Sequence, residues 1–236
     1  MLSYLRSALF LIGQSLAAVF FWPVTVVSLL LPLRPRLKVI ALWARFVIWW
    51  LRVTCGISHR VEGAENLIEG PAVILSKHQS AWETIAFQLI FPPLVFVLKR
   101  ELLWIPFFGW GLAASSPVAI KRDSPRKALA QLIAQGKKRL AAGAWVAIFP
   151  EGTRMSPGER GKYNPGGAML AVEAGVPVVP VAHNAGRHWA RRSFLKTPGV
   201  ITVAIGPAIE TRDHSTREVS TRAEEWIEEA MTRIGG

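Results

Sequence analysis

Residues Ala8 to Leu33 form an uncharged apolar run of 26 residues, bounded by Arg6 and Arg34. A helix of that length is long enough to cross a bilayer. Pro23 is expected to divide the run, and Gly13, Gln14 and Ser15 weaken its first half. A second apolar segment, Val39 to Ile57, carries Arg45 and Arg52 seven residues apart, on one helical face. The connector Pro32-Leu33-Arg34-Pro35-Arg36 is short, basic and broken by proline. The run is too long for a secretory signal and leads into a basic turn, not a small-residue cleavage site. Two arrangements remain: a spanning helix followed by an interfacial one, or a helical hairpin dipping into one leaflet. Both place the rest of the chain on the cytoplasmic side, by the excess of basic residues in the connector.

Charge supports a lipid partner. No Asp or Glu precedes Glu62, whereas seven of the 28 basic residues lie at or before Arg60. Nucleic-acid binders put their basic residues on polar faces or tails. Here they are interleaved with Trp, Phe and Leu, the pattern of an anionic membrane surface, so no nucleic acid is expected. Cys55 is the only cysteine, which excludes an intrachain disulfide and a cysteine-rich metal site. The five histidines form no ligand cluster in sequence, and no metal is expected. His183 and His188 are expected at the surface.

From Val61 the pattern changes. Ala72–Leu75, Leu94–Leu98, Val118–Ile120, Trp145–Phe149, Val178–Val181 and Ile201–Ile205 are short β-branched runs that predict strands. Trp82–Ile90, Pro125–Ala142, Gly167–Ala174 and Arg217–Ile234 predict helices. In the last of these, Glu224, Glu225, Glu228 and Glu229 fall on a solvated face. Alternating strands and helices predict an α/β domain over 61–236, a largely buried mixed sheet flanked by helices, behind membrane-anchoring helices over 1–60.

Two segments carry chemistry. Ser76-Lys77-His78-Gln79-Ser80-Ala81-Trp82-Glu83 follows a strand and enters a helix, the usual place for a site in an α/β sheet. A neutral His78 can take a proton near pH 7, and Glu83 can accept from its other ring nitrogen, fixing tautomer and orientation. Alone, this spacing also describes an ordinary surface ion pair. Phe149-Pro150-Glu151-Gly152-Thr153-Arg154 also follows a strand. Gly152 allows a tight turn, Arg154 can grip a phosphate bidentately, and Glu151 can accept from a substrate hydroxyl or hold the arginine. Lys99 and Arg100 follow a third strand end. Val176-Pro177-Val178-Val179-Pro180-Val181 is a proline-interrupted strand, expected at an edge or bulge. Ser80 lacks the Gly-x-Ser-x-Gly elbow of an activated serine nucleophile.

These segments, in this order, resemble the glycerolipid acyltransferase family, in particular its bacterial 1-acyl-glycerol-3-phosphate acyltransferases. His78 and Glu83 match the family's His-x-x-x-x-Asp block, with Glu in place of Asp. Lys99 to Gly109 resembles the second block, including Trp104 and Pro106. Phe149 to Arg154 matches the third and Val176 to Val181 the fourth. The resemblance covers Val61 to Ile209. At Tyr163-Asn164 the chain lacks a lysine that relatives often carry, while Arg122 stands where the family commonly has arginine.

The resemblance implies transfer of a fatty acyl group from acyl-CoA or an acyl carrier protein thioester to the free sn-2 hydroxyl of lysophosphatidic acid. The product is phosphatidic acid, and no cofactor is bound. His78 and Glu83 would be catalytic, Arg154, Lys99 and Arg122 would hold the phosphate, and Glu151, Gly152 and Thr153 would contact substrate. Val178 and Val181 would wall an acyl chain. The location implied is the cytoplasmic side of a bacterial inner membrane. Alternatives are an acyltransferase for another lysophospholipid or a lyso-ornithine lipid, and a non-catalytic protein that binds anionic lipid.

Overall fold

The computed structural model describes residues 1–105, 108–121 and 123–236, so the expected roles of Pro106 and Arg122 fall outside the described residues. Helix α1 (Leu2–Val27) packs antiparallel on α2 (Leu33–Cys55) through the turn at Ser28–Leu30. The helix runs unbroken through Pro23. Pro23 supplies no N–H to the turn before it, and α1 continues because it lies along α2 for its length. Gly13 is where the two helices touch: a Cβ there would collide with the Trp50 indole. That indole donates to the Leu9 carbonyl at 3.2 Å. Leu2–Leu30 is long and apolar enough to cross a membrane, and most of its side chains are exposed.

The sheet has seven strands: β1 (Ile57–Glu62), β2 (Val73–Ser76), β3 (Leu94–Lys99), β4 (Val118–Ile120), β5 (Trp145–Ile148), β6 (Val178–His183) and β7 (Gly199–Ile205). Their order is β1-β7-β6-β2-β5-β3-β4. All neighbours are parallel except β6 and β7, which run antiparallel, so the sheet is mixed as expected. Both faces are covered. Ile74, Trp145, Ala147, Val179 and Val181 point into one core with α2 and α3 (Trp82–Ile90). Val73, Leu75, Val146, Ile148 and Val178 point into another, with α5 (Pro125–Ala141), α6 (Gly166–Ala174) and α7 (Thr216–Ile234). The two-residue period of a strand makes this alternation, and burial on both faces explains why these strands read as continuous apolar runs. Helix α4 (Phe108–Ala114) lies between β3 and β4.

Three expectations need correction. Strand β1 was not anticipated, because Ser58, His59 and Arg60 break any apolar alternation. Among the described residues it pairs only with β7, and the expected boundary at residue 60 falls inside it. The proline-bearing strand β6 is central, not an edge. Pro180 turns its carbonyl to the β7 side, accepting from Gly206 N at 2.9 Å, just where the β6–β7 register stops at Val181 and Ile205. Its missing N–H therefore removes no ladder bond. Val178 and Val181 are fully buried in the two cores, so the structure places neither on the wall of an open acyl-chain pocket.

Candidate active site

The ends of β2, β3 and β5 lie along one edge of the sheet, because these strands are parallel. Lys99 is the last residue of β3, and His78 and Phe149 follow the ends of β2 and β5. The chain after β2 crosses into α3 through Gln79, Ser80 and Ala81, and Glu83 stands in the first turn of the helix. Its carboxylate turns back across this loop. Glu83 Oε1 accepts from His78 Nδ1 at 2.7 Å, from Ser80 N at 2.8 Å and from Gln79 N at 3.0 Å. A carboxylate at a helix N-terminus meets unpaired amides, so local backbone geometry and helix dipole both favour it there. The extra methylene of Glu over Asp is accommodated within this loop.

The Glu83 side chain is wholly buried. Burial opposes its ionisation, but the imidazoles of His183 and His78 and the Ser80 amide outweigh that cost and hold its carboxyl below the ordinary value. The ionised Oε1 fixes the proton of His78 on Nδ1 and leaves Nε2 as the basic nitrogen. Nε2 has no partner among the described residues, and the side chain keeps 14% of its surface exposed. Phe149 stacks on the imidazole with ring centroids 3.9 Å apart and planes 12° from parallel, and Phe96 stacks on Phe149 in turn. The imidazole is thus clamped by a carboxylate at one nitrogen and an aromatic face along its plane.

The turn after β5 is tied to the same histidine. Met155 N donates to the His78 carbonyl at 2.8 Å, which brings the residue after Arg154 against His78. Gly152 takes a left-handed φ of 68° and donates to the Phe149 carbonyl at 2.9 Å. Only a residue without a Cβ turns there without strain. Arg154 is half-buried, and its Nε is shielded with no partner among the described residues. Its carbonyl accepts from Arg191 at 2.9 Å. Thr153, Lys99 and Arg100 are exposed.

Glu151 is not free for either role anticipated for it. Its side chain is buried and paired with Lys77 Nζ at 2.8 Å, and it accepts from His78 N at 3.3 Å and Gly161 N at 3.1 Å. Lys77 is itself buried, held by Glu228 Oε1 at 3.0 Å and the Glu159 carbonyl at 3.0 Å. Tyr163 donates to the same Glu228 oxygen at 2.8 Å, and its hydroxyl is pushed strongly up by burial and by Glu228. Glu228 therefore leaves the solvated face of α7 to which helical periodicity assigns it. Nothing in the sequence marks Lys77, because its partners come from β5 and α7. Ser80 is buried, with Oγ accepting from Trp82 N at 3.1 Å, a local bond that ties it to the start of α3.

His183 is also buried and not a surface residue. Nε2 donates to the Lys77 carbonyl at 2.9 Å and Nδ1 accepts from Ala185 N at 3.3 Å, which defines a neutral ring 3.9 Å from Glu83. Burial lowers its pKa from 6.5 despite the nearby carboxylate. Because the folded pKa is depressed, its stability contribution is complete above 6.5 and lost as pH falls toward the lower folded value. Urea unfolding of His183→Gln at pH 7 and pH 5 is expected to show a smaller loss of stability on acidification than the unsubstituted protein. An equal loss in both would exclude His183 as a source.

The acyltransferase family matches residues 58–184, a span from β1 to the end of β6 that contains His78, Glu83 and the Phe149–Arg154 turn. The chain is 49% identical over 236 residues to the 1-acyl-sn-glycerol-3-phosphate acyltransferase of Pseudomonas aeruginosa, covering 98% of this chain and 91% of that one. It is 28% identical over 172 residues to the enzyme of the same name from Escherichia coli, covering 70% and 69%. The crystal structure of the 1-acyl-sn-glycerophosphate acyltransferase of Thermotoga maritima has the same fold. Its TM-score is 0.81 at 24% identity, covering 98% of this chain and 95% of that one.

Proposed function

This chain belongs to the acyltransferase family, and we propose that it transfers a fatty acyl group to the free sn-2 hydroxyl of 1-acyl-glycerol-3-phosphate, giving phosphatidic acid. The observation that carries the reading is the 2.7 Å bond from His78 Nδ1 to buried Glu83, which leaves Nε2 as the basic nitrogen of a partly exposed side chain. Nε2 takes the hydroxyl proton as the oxygen attacks the carbonyl carbon of an acyl thioester. The tetrahedral intermediate collapses, the C–S bond breaks, and the proton on Nε2 passes to the departing sulfur. Glu83 stays ionised and balances the imidazolium in between. Every proton and electron pair is accounted for by these two side chains and the two substrates.

The phosphate of the acceptor is held by Arg154 and Lys99, with Arg122 a further candidate. Arg154 has the better claim: its shielded Nε, unpartnered among the described residues, calls for an acceptor, and Met155 ties its turn to His78. Gly152 and Thr153 line the same turn. The donor is a thioester of coenzyme A or of acyl carrier protein.

Residues 1–60 anchor the 61–236 domain at the cytoplasmic face of the bacterial inner membrane, the two parts sharing strand β1. The geometry supports the single-leaflet arrangement. The first turns of α1 are pinned to the domain by Ser7 Oγ, which accepts from Lys196 N at 3.0 Å, and by Phe10 against Trp189. Lys196 is buried, with Nζ over the Trp189 ring at 4.8 Å. A helix held to the domain at its start, and to α2 along its length, lies flat on the bilayer with its exposed side in lipid.

Purified protein is expected to acylate lysophosphatidate in preference to a panel of other lysolipids, with both donor types tried. Arg154→Ala is expected to raise KM for lysophosphatidate about tenfold or more, as loss of a charged phosphate contact of roughly 1.5–3 kcal/mol requires. Equal use of acceptors lacking the phosphate monoester would overturn the assignment of acceptor.

A further inference from the structure

A second basic centre lies at the opposite end of the sheet from His78. Ser116 precedes β4 and Gly143 precedes β5, so both stand where the parallel strands begin, whereas His78 and Phe149 follow strand ends. Three arginines converge there from two elements. Arg36, in the first turns of α2, donates from Nη2 to Ser116 Oγ at 2.6 Å. Arg139, near the end of α5, donates from Nε to the carbonyl of the same residue at 2.7 Å. Arg34 lays its side chain over Gly143, with Nε 3.7 Å from where a Cβ would stand.

This arrangement is electrostatically incomplete. Among the described residues no carboxylate pairs with any of the three arginines. The first turn of α2 contains no acid, although its dipole is positive there. Arg36 and Arg139 are close enough that Arg36, after burial, depresses the Arg139 pKa. Arg36 Nε is shielded from water with no partner among the described residues. Ser116, which both guanidinium groups grip, is held at a left-handed φ of 51° that a residue with a Cβ rarely adopts. Each guanidinium has five N–H groups, and one from each of Arg36 and Arg139 is used on Ser116. The unused donors are suited to a group with several anionic oxygens.

The surroundings identify its source. Leu29, Leu30 and Leu31, directly before the basic connector, are 50%, 87% and 39% exposed. Apolar residues open to the outside beside clustered arginines form the boundary between hydrocarbon and headgroups. We propose that Arg34, Arg36 and Arg139 form a binding site for the phosphate of an anionic phospholipid headgroup, separate from the catalytic site. The site seats the far end of the anchor on the bilayer, and it rests on the membrane-anchored reading above.

The test uses the full chain and co-sedimentation with vesicles of phosphatidylcholine, with and without phosphatidylglycerol. The unsubstituted protein is expected to bind both, and the phosphatidylglycerol vesicles more tightly. The double variant R36Q/R139Q is expected to lose on the order of tenfold of that preference, given the contribution of each basic residue at an anionic surface. Its binding to phosphatidylcholine and its acyl transfer in detergent micelles should match the unsubstituted protein. If this variant fails to fold, the exposed Arg34→Gln carries the same test with a smaller loss. Full retention of the preference overturns the site while leaving the anchor intact. Failure of the unsubstituted protein to bind either vesicle removes the anchor and the site together. Inorganic phosphate that protects the unsubstituted protein against thermal unfolding, but neither variant, and abolishes the vesicle preference would assign the site to free phosphate, overturning the lipid as its source.

Discussion

His78→Ala is expected to lower kcat about 100-fold or more, the range for removing a general base, with the unfolding temperature little changed. The imidazole contributes one stacked face and a bond to Glu83, so its loss leaves the fold intact but removes the group proposed to take the hydroxyl proton. The Glu83 variants separate orientation from charge. Glu83→Asp keeps an anion and is expected to retain much of the activity. Glu83→Gln keeps the length but no longer balances the imidazolium and can present the wrong face to Nδ1. It is expected to lose most of kcat, with KM for lysophosphatidate nearly constant. Near-normal turnover by the alanine variant would exclude His78 as the base. A fall in KM-dependent terms alone would make the pair a binding feature.

The second large effect lies behind the catalytic loop. Lys77→Met is expected to destabilise the protein by about 3–5 kcal/mol, the cost of leaving a buried charge without its partner. Lys77 is 1% exposed and Glu151 not at all, and Glu151 would then keep only amide donors. Because Glu151 also holds His78 N, the surviving folded fraction should show a lower kcat as well. Glu228→Gln tests the same network from α7. It leaves Lys77 paired with Glu151 and should cost less than Lys77→Met in both stability and rate. Equal midpoints in urea for Lys77→Met and the unsubstituted protein would show that the ion pair carries no net stability.

Much of the site was legible because it is local. His78 and Glu83 are five residues apart, so the bond between them follows from one loop and one helical turn. Gly152 and Arg154 share a tight turn whose chemistry is written in adjacent residues. The strands were legible where both faces are buried, as at Trp145–Ile148, because burial demands a continuous apolar run. Strand β1 was not, since an edge strand with one neighbour tolerates Ser58, His59 and Arg60.

The sequence by itself determined the buried strands and the amphipathic helices, the apolar N-terminal run with its arginines, and the pairing of His78 with Glu83. Each depends on neighbours in the chain or on a period of two or 3.6 residues. Tertiary structure alone decided which charges are buried. Lys77, Glu151, Glu228 and His183 look like ordinary polar residues in sequence, and their partners lie up to 151 residues away. It also decided that α1 lies flat along α2, that Pro180 sits harmlessly in a central strand, and that Arg36 and Arg139 meet at Ser116. Those outcomes follow from which elements the sheet brings side by side, and that is a property of packing over the whole chain.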